Sequence, residues 1–469
     1  MIRPVYLWKK AQVNLNSHRR KLLNLAWIQG VILLACVVIA MLLANLPATR
    51  EHYFHVLETS LRISVLSPSG HGFTFPAEMT VEKFINDILM VVFFFTVGLE
   101  IKREIVCGEL SSPKKAVMPV IAAFGGVAMP ALIYFLVNHG TAAASGWGIP
   151  TATDIAFAVG ILAVLGKRVP VSLKVFLTAL AIADDLIAIL VVALFYGGDI
   201  NFQYLGLAAI LVVFIAWMNI TGEKRPWFYF IPAIALWILF YYSGIHATMS
   251  GVVMALLIPM KPRYTKEYYY RKRHIYRARL DESDKTPSDE GFPNYTQRVI
   301  LWRLSSTSKN CIGLSYRLEH ALSPWVSFVI MPIFALANAG VRITDPSFFN
   351  VFQYSNVLGS VGMGIFLGLL LGKPIGISLA SYIAVKAKIG QMPARATWKR
   401  LIAVACLGGI GFTMSIFVDT LSFSDQTPEV MEMLQDMGKV AVLMGSLCSG
   451  LLGSALILLE TRKKNTTSA

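Results

Sequence analysis

Long apolar segments recur along the chain, and nearly all of them reach the length that a helix needs to cross a lipid bilayer, about 17–25 residues. We predict about twelve transmembrane helices from this pattern. Their approximate bounds are 25–46, 84–101, 116–137, 149–166, 171–196, 203–221, 227–243, 245–260, 322–341, 357–385, 401–418 and 437–459. The segment at 245–260 is the shortest of the twelve. The fold class that follows is an all-α membrane protein.

A polar stretch at residues 47–82 separates the first two apolar segments. Within it, apolar and polar residues alternate over 61–66 and again over 73–75, and Pro68-Ser69-Gly70 between them is typical of a turn. This pattern predicts a β-hairpin. Because a lone hairpin is marginally stable in water, we expect it to pair with the same hairpin of a second subunit, which would make the protein a homodimer.

A second polar stretch, at residues 261–313, begins with the basic, tyrosine-rich run 268–274 and continues through the polar segment 281–293. Its clustered charge favours contact with anionic lipid headgroups. A flexible, solvated loop is the alternative. The predicted divisions of the chain are a basic arm at 1–24, a membrane region at 25–260, the insertion at 261–313, a second membrane region at 314–460 and a tail at 461–469.

Composition supports a membrane protein, since 55% of the 469 residues are hydrophobic and 15% are charged, against roughly 25% charged in soluble domains. The net charge of +15 raises the possibility of a nucleic-acid partner. Lysine and arginine, however, lie in the N-terminal arm, in the even-numbered loops between the predicted helices and in the tail. The odd-numbered loops have few of them, and the last odd-numbered loop is acidic (Asp419, Asp425, Glu429, Glu432). This asymmetry predicts that both termini are cytoplasmic and argues against nucleic acid.

Five cysteines are scattered along the chain without a CxxC pair, so we interpret them as small apolar residues and expect no resident metal or other cofactor. The first apolar segment follows a long basic arm that lacks a small-residue cleavage site. We therefore expect a retained first helix and not a signal peptide.

Four ionisable residues lie deep within the apolar segments: Asp154, Asp184, Asp185 and Lys373. Each costs about 2.5–3.5 kcal/mol to place at the centre of a bilayer, so each is a candidate functional residue. Neighbouring residues of a helix point about 100° apart, so Asp184 and Asp185 cannot share one role. We expect an aspartate–lysine pair with Lys373. A purely stabilising ion pair is the alternative, but it accounts for one aspartate and leaves two unexplained.

Helix-breaking residues accompany these charges in both halves of the chain. Gly148 and Pro150 precede Asp154, and the eleventh segment carries Gly408, Gly409, Gly411 and Thr413. Such residues allow an unwound segment whose backbone groups face a polar cavity, and the broken ends of helices carry partial charges. Taken alone, the glycines also fit close helix packing. Beside buried charges, they favour two discontinuous helices around a transport site.

At these residues the sequence resembles the NhaA family of Na⁺/H⁺ antiporters. The matching strings are FFFTVGLEIKRE at 93–104, ATDIAFA at 152–158, ALAIADDL at 179–186, GIHAT at 244–248, RLEH at 317–320, FALANAG at 334–340, GKP at 372–374 and GGIGFTMS at 408–415. The resemblance implies twelve helices with inverted-topology repeats, and the NhaA family is itself an example of that architecture. It also implies that the broken fourth and eleventh helices cross and that the hairpin is a dimer contact.

Residue roles follow from the same resemblance. Asp185 corresponds to the principal Na⁺-binding carboxylate and Asp184 to the partner of Lys373, with Thr153 and Asp154 contributing beside the crossing. The cytoplasmic funnel and pH-sensing cluster correspond to Glu100, Arg103, Glu104 and Glu319, and His246 to a histidine of the pH response. The insertion, Tyr316 and Ser323 depart from the family pattern in the pH-sensing region.

The expected function is electrogenic, pH-regulated exchange of Na⁺ or Li⁺ for H⁺ across the bacterial inner membrane, for sodium extrusion and pH homeostasis. Na⁺ would bind at Asp185, Asp184 and Thr153 in competition with protons. The protein would be a secondary transporter and not an enzyme. An intramembrane aspartyl protease is disfavoured because its GxGD string is absent. A passive channel and a sodium-coupled symporter of organic acids are two further possible functions.

Overall fold

The structure is a computed structural model that describes residues 26–66, 72–283, 292–343, 351–353, 358–394 and 396–467. The predicted basic arm at 1–24 and the predicted turn at Pro68-Ser69-Gly70 lie outside the described residues.

Helices make up most of the described chain. In order, they are α1 (Ala26–Asn45), α2 (Arg50–Glu58), α3 (Val81–Cys107), α4 (Pro113–Asn138), α5 (Ile155–Leu165), α6 (Val171–Phe195), α7 (Phe202–Ile220), α8 (Trp227–Ser243), α9 (Met249–Leu257), α10 (Lys266–Ser283), α11 (Tyr295–Asn310), α12 (Leu314–Asn338), α13 (Val361–Lys386), α14 (Trp398–Gly408), α15 (Phe412–Leu421) and α16 (Pro428–Thr467). Short 3₁₀ helices lie at Glu109–Ser111, Ala142–Thr151 and Gly166–Arg168. Stretches of π-helix interrupt α3, α12 and α13 at Ile85–Leu89, Val326–Ile330 and Gly368–Gly372.

Eight of these helices are long and apolar enough to cross a membrane: α1, α3, α4, α6, α7, α12, α13 and α16. Two bent helix pairs, each counted as one span, raise the number among the described residues to ten. The remaining two predicted segments contain α8, with 17 residues, and α9, with nine, which are short for a span. A mostly helical membrane protein is therefore confirmed, and the number twelve stays a prediction.

The predicted hairpin is confirmed. Strands β1 (Ser60–Leu66) and β2 (Gly72–Thr80) pair antiparallel, with Ser60 opposite Thr80 and Leu66 opposite Gly72. The register shifts between Leu61 and Ile63. A role for this hairpin in dimerisation stays a prediction.

The insertion forms a helical pair, α10 and α11, whose members pack against each other. At the start of α11, Asn294 and Gln297 form a capping box in which each side chain accepts a hydrogen bond from the backbone N–H of the other. The alternative of a flexible loop is therefore wrong over Lys266–Ser283 and Tyr295–Asn310. Contact of this pair with anionic lipid stays a prediction.

The acidic loop predicted between the last two spans is wrong at both ends. Asp419 belongs to α15 and is fully buried, whereas Glu429 and Glu432 lie in the first turns of α16. The predicted segment 401–418 ended too early, because α15 continues past the charged residue Asp419 to Leu421. A helix that is enclosed by other helices can include such a residue. Helix α16, with 40 residues, correspondingly begins before the predicted bound at 437.

The chain forms two compact units. The larger unit comprises the described residues of Met1–Phe93, Glu104–Gly198 and Pro324–Ala469, and the smaller unit comprises Phe94–Arg103 and Asp199–Ser323. The smaller unit has its own apolar core, to which α3, α7, α8, α9 and α12 contribute. Its most buried members are Leu99, Ala208, Ile215, Tyr229, Leu236, Met254, Ala255 and Ile258.

Glycines allow a close approach of two helices, α4 and α13, in the larger unit. A Cβ atom added at Gly125 of α4 would lie 2.4 Å from the carbonyl oxygen of Gly376 in α13, and one added at Gly376 would lie 2.1 Å from the carbonyl oxygen of Gly125. Small residues of this kind let two membrane helices pack backbone to backbone. This packing fixes α13, and Lys373 lies one turn before Gly376 on the same helix.

Candidate functional site: a buried charge cluster at two broken helices

Two discontinuous helix pairs meet in the larger unit, as the glycine and proline pattern predicted. The 3₁₀ helix Ala142–Thr151, which contains Pro150, is bent by 41° from α5, and α14 is bent by 45° from α15. The two breaks touch, because the backbone N–H of Asp154 donates a hydrogen bond of 2.6 Å to the carbonyl oxygen of Ile410. Unwound backbone from one pair thus satisfies unwound backbone from the other.

Glycine is required at the second break for steric reasons. A Cβ atom at Gly409 would lie 2.3 Å from the carbonyl oxygen of Leu369, and one at Gly411 would lie 3.1 Å from the carbonyl oxygen of Ala152. The first distance is too short for any Cβ atom, so part of the backbone would have to move.

Gly409→Ala is therefore expected to destabilise the protein by about 1–3 kcal/mol, the usual cost of overpacking. Gly206→Ala in α7 is the matched control, since a Cβ there meets no atom within 4 Å. Thermal unfolding in detergent measures both variants. An unfolding temperature for Gly409→Ala that equals the control's would contradict the close approach at the crossing.

Asp154 neutralises two helix N-termini at once. Its Oδ1 accepts from the N–H of Phe157 at 3.2 Å, and its Oδ2 accepts from the N–H of Thr413 at 3.2 Å and from the Thr413 hydroxyl. These donors open α5 and α15, and the N-terminal ends of helices carry partial positive charge. With 2% of its surface exposed, Asp154 is a fixed counter-charge at the crossing.

Asp184 and Lys373 form a buried ion pair beside the crossing. The Lys373 ammonium donates to Asp184 Oδ2 and to the Thr153 hydroxyl, and neither charged side chain is more than 1% exposed. The Thr153 hydroxyl lies within hydrogen-bond distance of Asp184 Oδ2 and, at 2.8 Å, of the carbonyl oxygen of Gly408. Thr153 thereby links the ion pair to the C-terminal end of α14, where the partial charge is negative.

Asp185 follows Asp184 near the middle of α6 and is 3% exposed. It points about 100° away from Asp184 around the helix, yet it remains within electrostatic range of Lys373. The second oxygen of Asp184, Oδ1, accepts no hydrogen bond from any residue that the structure describes. The cluster thus offers carboxylate, hydroxyl and carbonyl oxygens around one ammonium, the ligand types that hard cations prefer.

No group of three or more His, Cys, Asp or Glu side chains is arranged to hold a metal ion within the described parts of the chain.

The residues predicted to sense pH divide between the two units. In the smaller unit, Arg103 of α3 donates to the carboxylate of Glu319 and lies 3.6 Å from that of Glu100. Glu104 belongs to the larger unit, where its carboxylate accepts from the N–H of Glu109 at 3.0 Å. His246 lies between α8 and α9 and is partly buried. The roles of all five in pH response stay predictions.

Two polar features escaped the sequence analysis. Asn86 and Asn338 exchange side-chain hydrogen bonds of 3.0 and 2.9 Å between α3 and α12 within the larger unit. The signal in the sequence was the presence of an asparagine within each of two apolar segments. An uncharged amide costs less to bury than the four charged residues, so the pattern did not single it out. The second feature is Asp419, which was assigned to a loop.

Comparison with known proteins shows the family of the chain. The family model described as Na⁺/H⁺ antiporter 1 matches residues 20–457. The chain is 40% identical over 447 residues to the Na⁺/H⁺ antiporter NhaA of Sulfurimonas denitrificans, covering 95% of this chain and 96% of that protein. It is 40% identical to the NhaA of Pelagibacter ubique, covering 96% and 99%, and 38% identical to that of Shigella dysenteriae, covering 92% and 96%. The chain therefore belongs to the NhaA family of Na⁺/H⁺ antiporters, which are secondary transporters and not enzymes.

Proposed function

We propose that this protein exchanges Na⁺ or Li⁺ for H⁺ by competition at Asp184 and Asp185. One observation carries the proposal: two adjacent carboxylates at the middle of α6 and one lysine of α13 lie buried together, against the contact of two broken helices. Charges at such depth cost too much to persist without a function. The NhaA relatives are named for the same exchange.

Competition follows from the ligand chemistry. A buried carboxylate needs a positive partner, and either a proton or an alkali cation supplies it. Na⁺ favours carboxylate and hydroxyl oxygens, and Asp184, Asp185 and Thr153 offer both. When Na⁺ binds, protons leave, and when protons return, Na⁺ is released. Coupled carboxyls in such a site share their apparent titration steps.

Lys373 takes part in the proton balance. While Asp184 is ionised, the ion pair holds the proton on the Lys373 ammonium. When Asp184 is protonated, the pair breaks and the buried amine can release its own proton. An exchange in which more than one proton moves for each Na⁺ would be electrogenic and would respond to membrane potential.

The crossing supports alternating access. Asp154 and Thr153 form their hydrogen bonds where the four broken helix ends meet. A small movement of one helix pair would therefore change the side of the membrane from which the site is accessible. We assign to this chain the twelve helices and inverted repeats of the family. Both termini and the α10–α11 pair would then lie in the cytoplasm at a bacterial inner membrane, with lipid around the spans and the hairpin joining two subunits. The pH-regulating cluster would be Glu100, Arg103, Glu104, Glu319 and His246.

Purified protein in proteoliposomes with an imposed proton gradient tests the exchange. Addition of Na⁺ or Li⁺ is expected to release protons from acid-loaded vesicles, as reported by a pH-sensitive dye, whereas K⁺ gives no response. The rate should depend on membrane potential. Equal responses to all three cations would favour a channel, and Na⁺ flux without proton movement would contradict exchange.

A further inference from the structure

A fourth buried aspartate of the larger unit, after Asp154, Asp184 and Asp185, has no part in the mechanism above. Asp419 of α15 has 0% of its surface exposed. Neither of its carboxylate oxygens accepts a hydrogen bond from any residue that the structure describes. Helix α16 packs directly over it, because a Cβ atom added at Gly438 would lie 2.0 Å from Asp419 Oδ1.

The groups around Asp419 do not supply a counter-charge in contact. Lys439 and Asp436 of α16 are its charged neighbours, and the two lie 3.7 Å from each other as an ion pair. The titratable groups that face it from the other packed elements are the phenols of Tyr134 in α4 and of Tyr196, the residue that directly follows α6. Both phenols donate to backbone carbonyls, at Ala143 and Ser145.

A carboxylate in this position would be an uncompensated buried charge, because no residue in the described part of the chain gives it a hydrogen bond or a direct ion pair. A neutral carboxylic acid has no such penalty. We propose that Asp419 is a second proton-binding site, which carries a proton in this conformation and exchanges it between the crossing and the exposed turn that follows α15. The function of this site as a relay depends on the proton exchange proposed above, whereas its protonation does not.

The position of Asp419 fits a relay. It lies six residues after Thr413, about 9 Å along the helix from the contact with Asp154. In the other direction, the chain reaches the exposed residues Ser424 and Asp425 within two turns.

Polar groups continue from Asp419 towards the crossing. The Tyr196 hydroxyl accepts from the N–H of Gly148 at 2.9 Å, and the Thr151 hydroxyl donates to the carbonyl oxygen of Gly148 at 2.6 Å. Thr151 is two residues before Thr153, which holds Asp184. A proton taken from water forms the O–H bond on Asp419, and that bond breaks when the proton passes on through water and hydroxyl groups to an ionised carboxylate at the crossing.

Infrared spectroscopy of the purified protein measures the protonation of Asp419 directly. The wild type is expected to show the carbonyl-stretch band of a protonated carboxylic acid, shifted by hydrogen–deuterium exchange, which disappears in Asp419→Asn. Asparagine has the size of the neutral acid, so this variant should fold. Asp425→Asn, in the exposed turn, is the matched control and should retain the band.

Transport tests the relay. Asp419→Asn is expected to slow exchange in proteoliposomes by roughly tenfold or more, because a positioned proton carrier is lost, with the half-saturating Na⁺ concentration unchanged. An infrared spectrum identical to that of wild type would overturn protonation of Asp419, and an unchanged exchange rate would overturn its role as a relay. If the wild type failed to exchange ions at all, the proposed function would fail while the infrared band still decided whether Asp419 holds a proton.

Discussion

Replacing Asp185 with asparagine is expected to abolish Na⁺-driven proton movement while leaving the fold intact. Asparagine keeps the size of the side chain but can neither bind a proton at this position nor carry the charge that attracts Na⁺. The variant keeps both members of the buried Asp184–Lys373 ion pair. Dye-reported proton flux in proteoliposomes gives the activity, and thermal unfolding in detergent gives the stability.

Asp199→Asn is the matched control, because Asp199 is exposed at the end of the loop after α6. It should transport at the wild-type rate. Normal transport by Asp185→Asn would show that the exchange site lies elsewhere in the protein.

Replacing Lys373 with alanine is expected to lower both stability and activity. The ionised carboxylate of Asp184 would remain fully buried without its cation, and breaking a buried pair from one side typically costs about 3–5 kcal/mol. Burial of Lys373 is complete, so solvent cannot replace the lost ammonium. A lowered unfolding temperature in detergent is the measurement.

The double variant Lys373→Ala/Asp184→Asn separates the ion pair from other effects of the lysine. Removing both charges should recover most of the stability that the single variant loses, and the coupling of the two sites follows from a double-mutant cycle. If the single variant unfolds at the wild-type temperature, or if the double variant recovers nothing, the two residues do not act as a pair.

The sequence predicted those features that follow from the cost of burying charge and from local backbone preferences. Lys373 was the one cation deep in an apolar segment, so its pairing with an aspartate could be expected, and the structure pairs it with Asp184. Pro150 and Gly409 predicted the helix breaks before α5 and between α14 and α15, because proline and glycine act on the helix backbone locally. The alternating residues around 61–66 forecast the hairpin for the same reason.

Tertiary contacts account for what the sequence did not provide. That Asp154 caps both α5 and α15 depends on the contact between two segments about 250 residues apart, and no local pattern encodes it. Asp419 was placed in a loop because the residues after it are polar, and its burial becomes evident only with α16 packed over it. The helices of the insertion were missed because its charge dominated the pattern, although Asn294 and Gln297 form a regular helix start.

Calorimetric titration of the purified protein with Na⁺ across a range of pH tests the central claim, that protons and Na⁺ compete for the same carboxylates. We predict that acidification weakens Na⁺ binding by about tenfold per pH unit for each proton displaced, and that binding releases protons into the buffer. Asp185→Asn should remove both effects. A Na⁺ affinity that stays constant as the solution is acidified, with no proton release, would contradict the account.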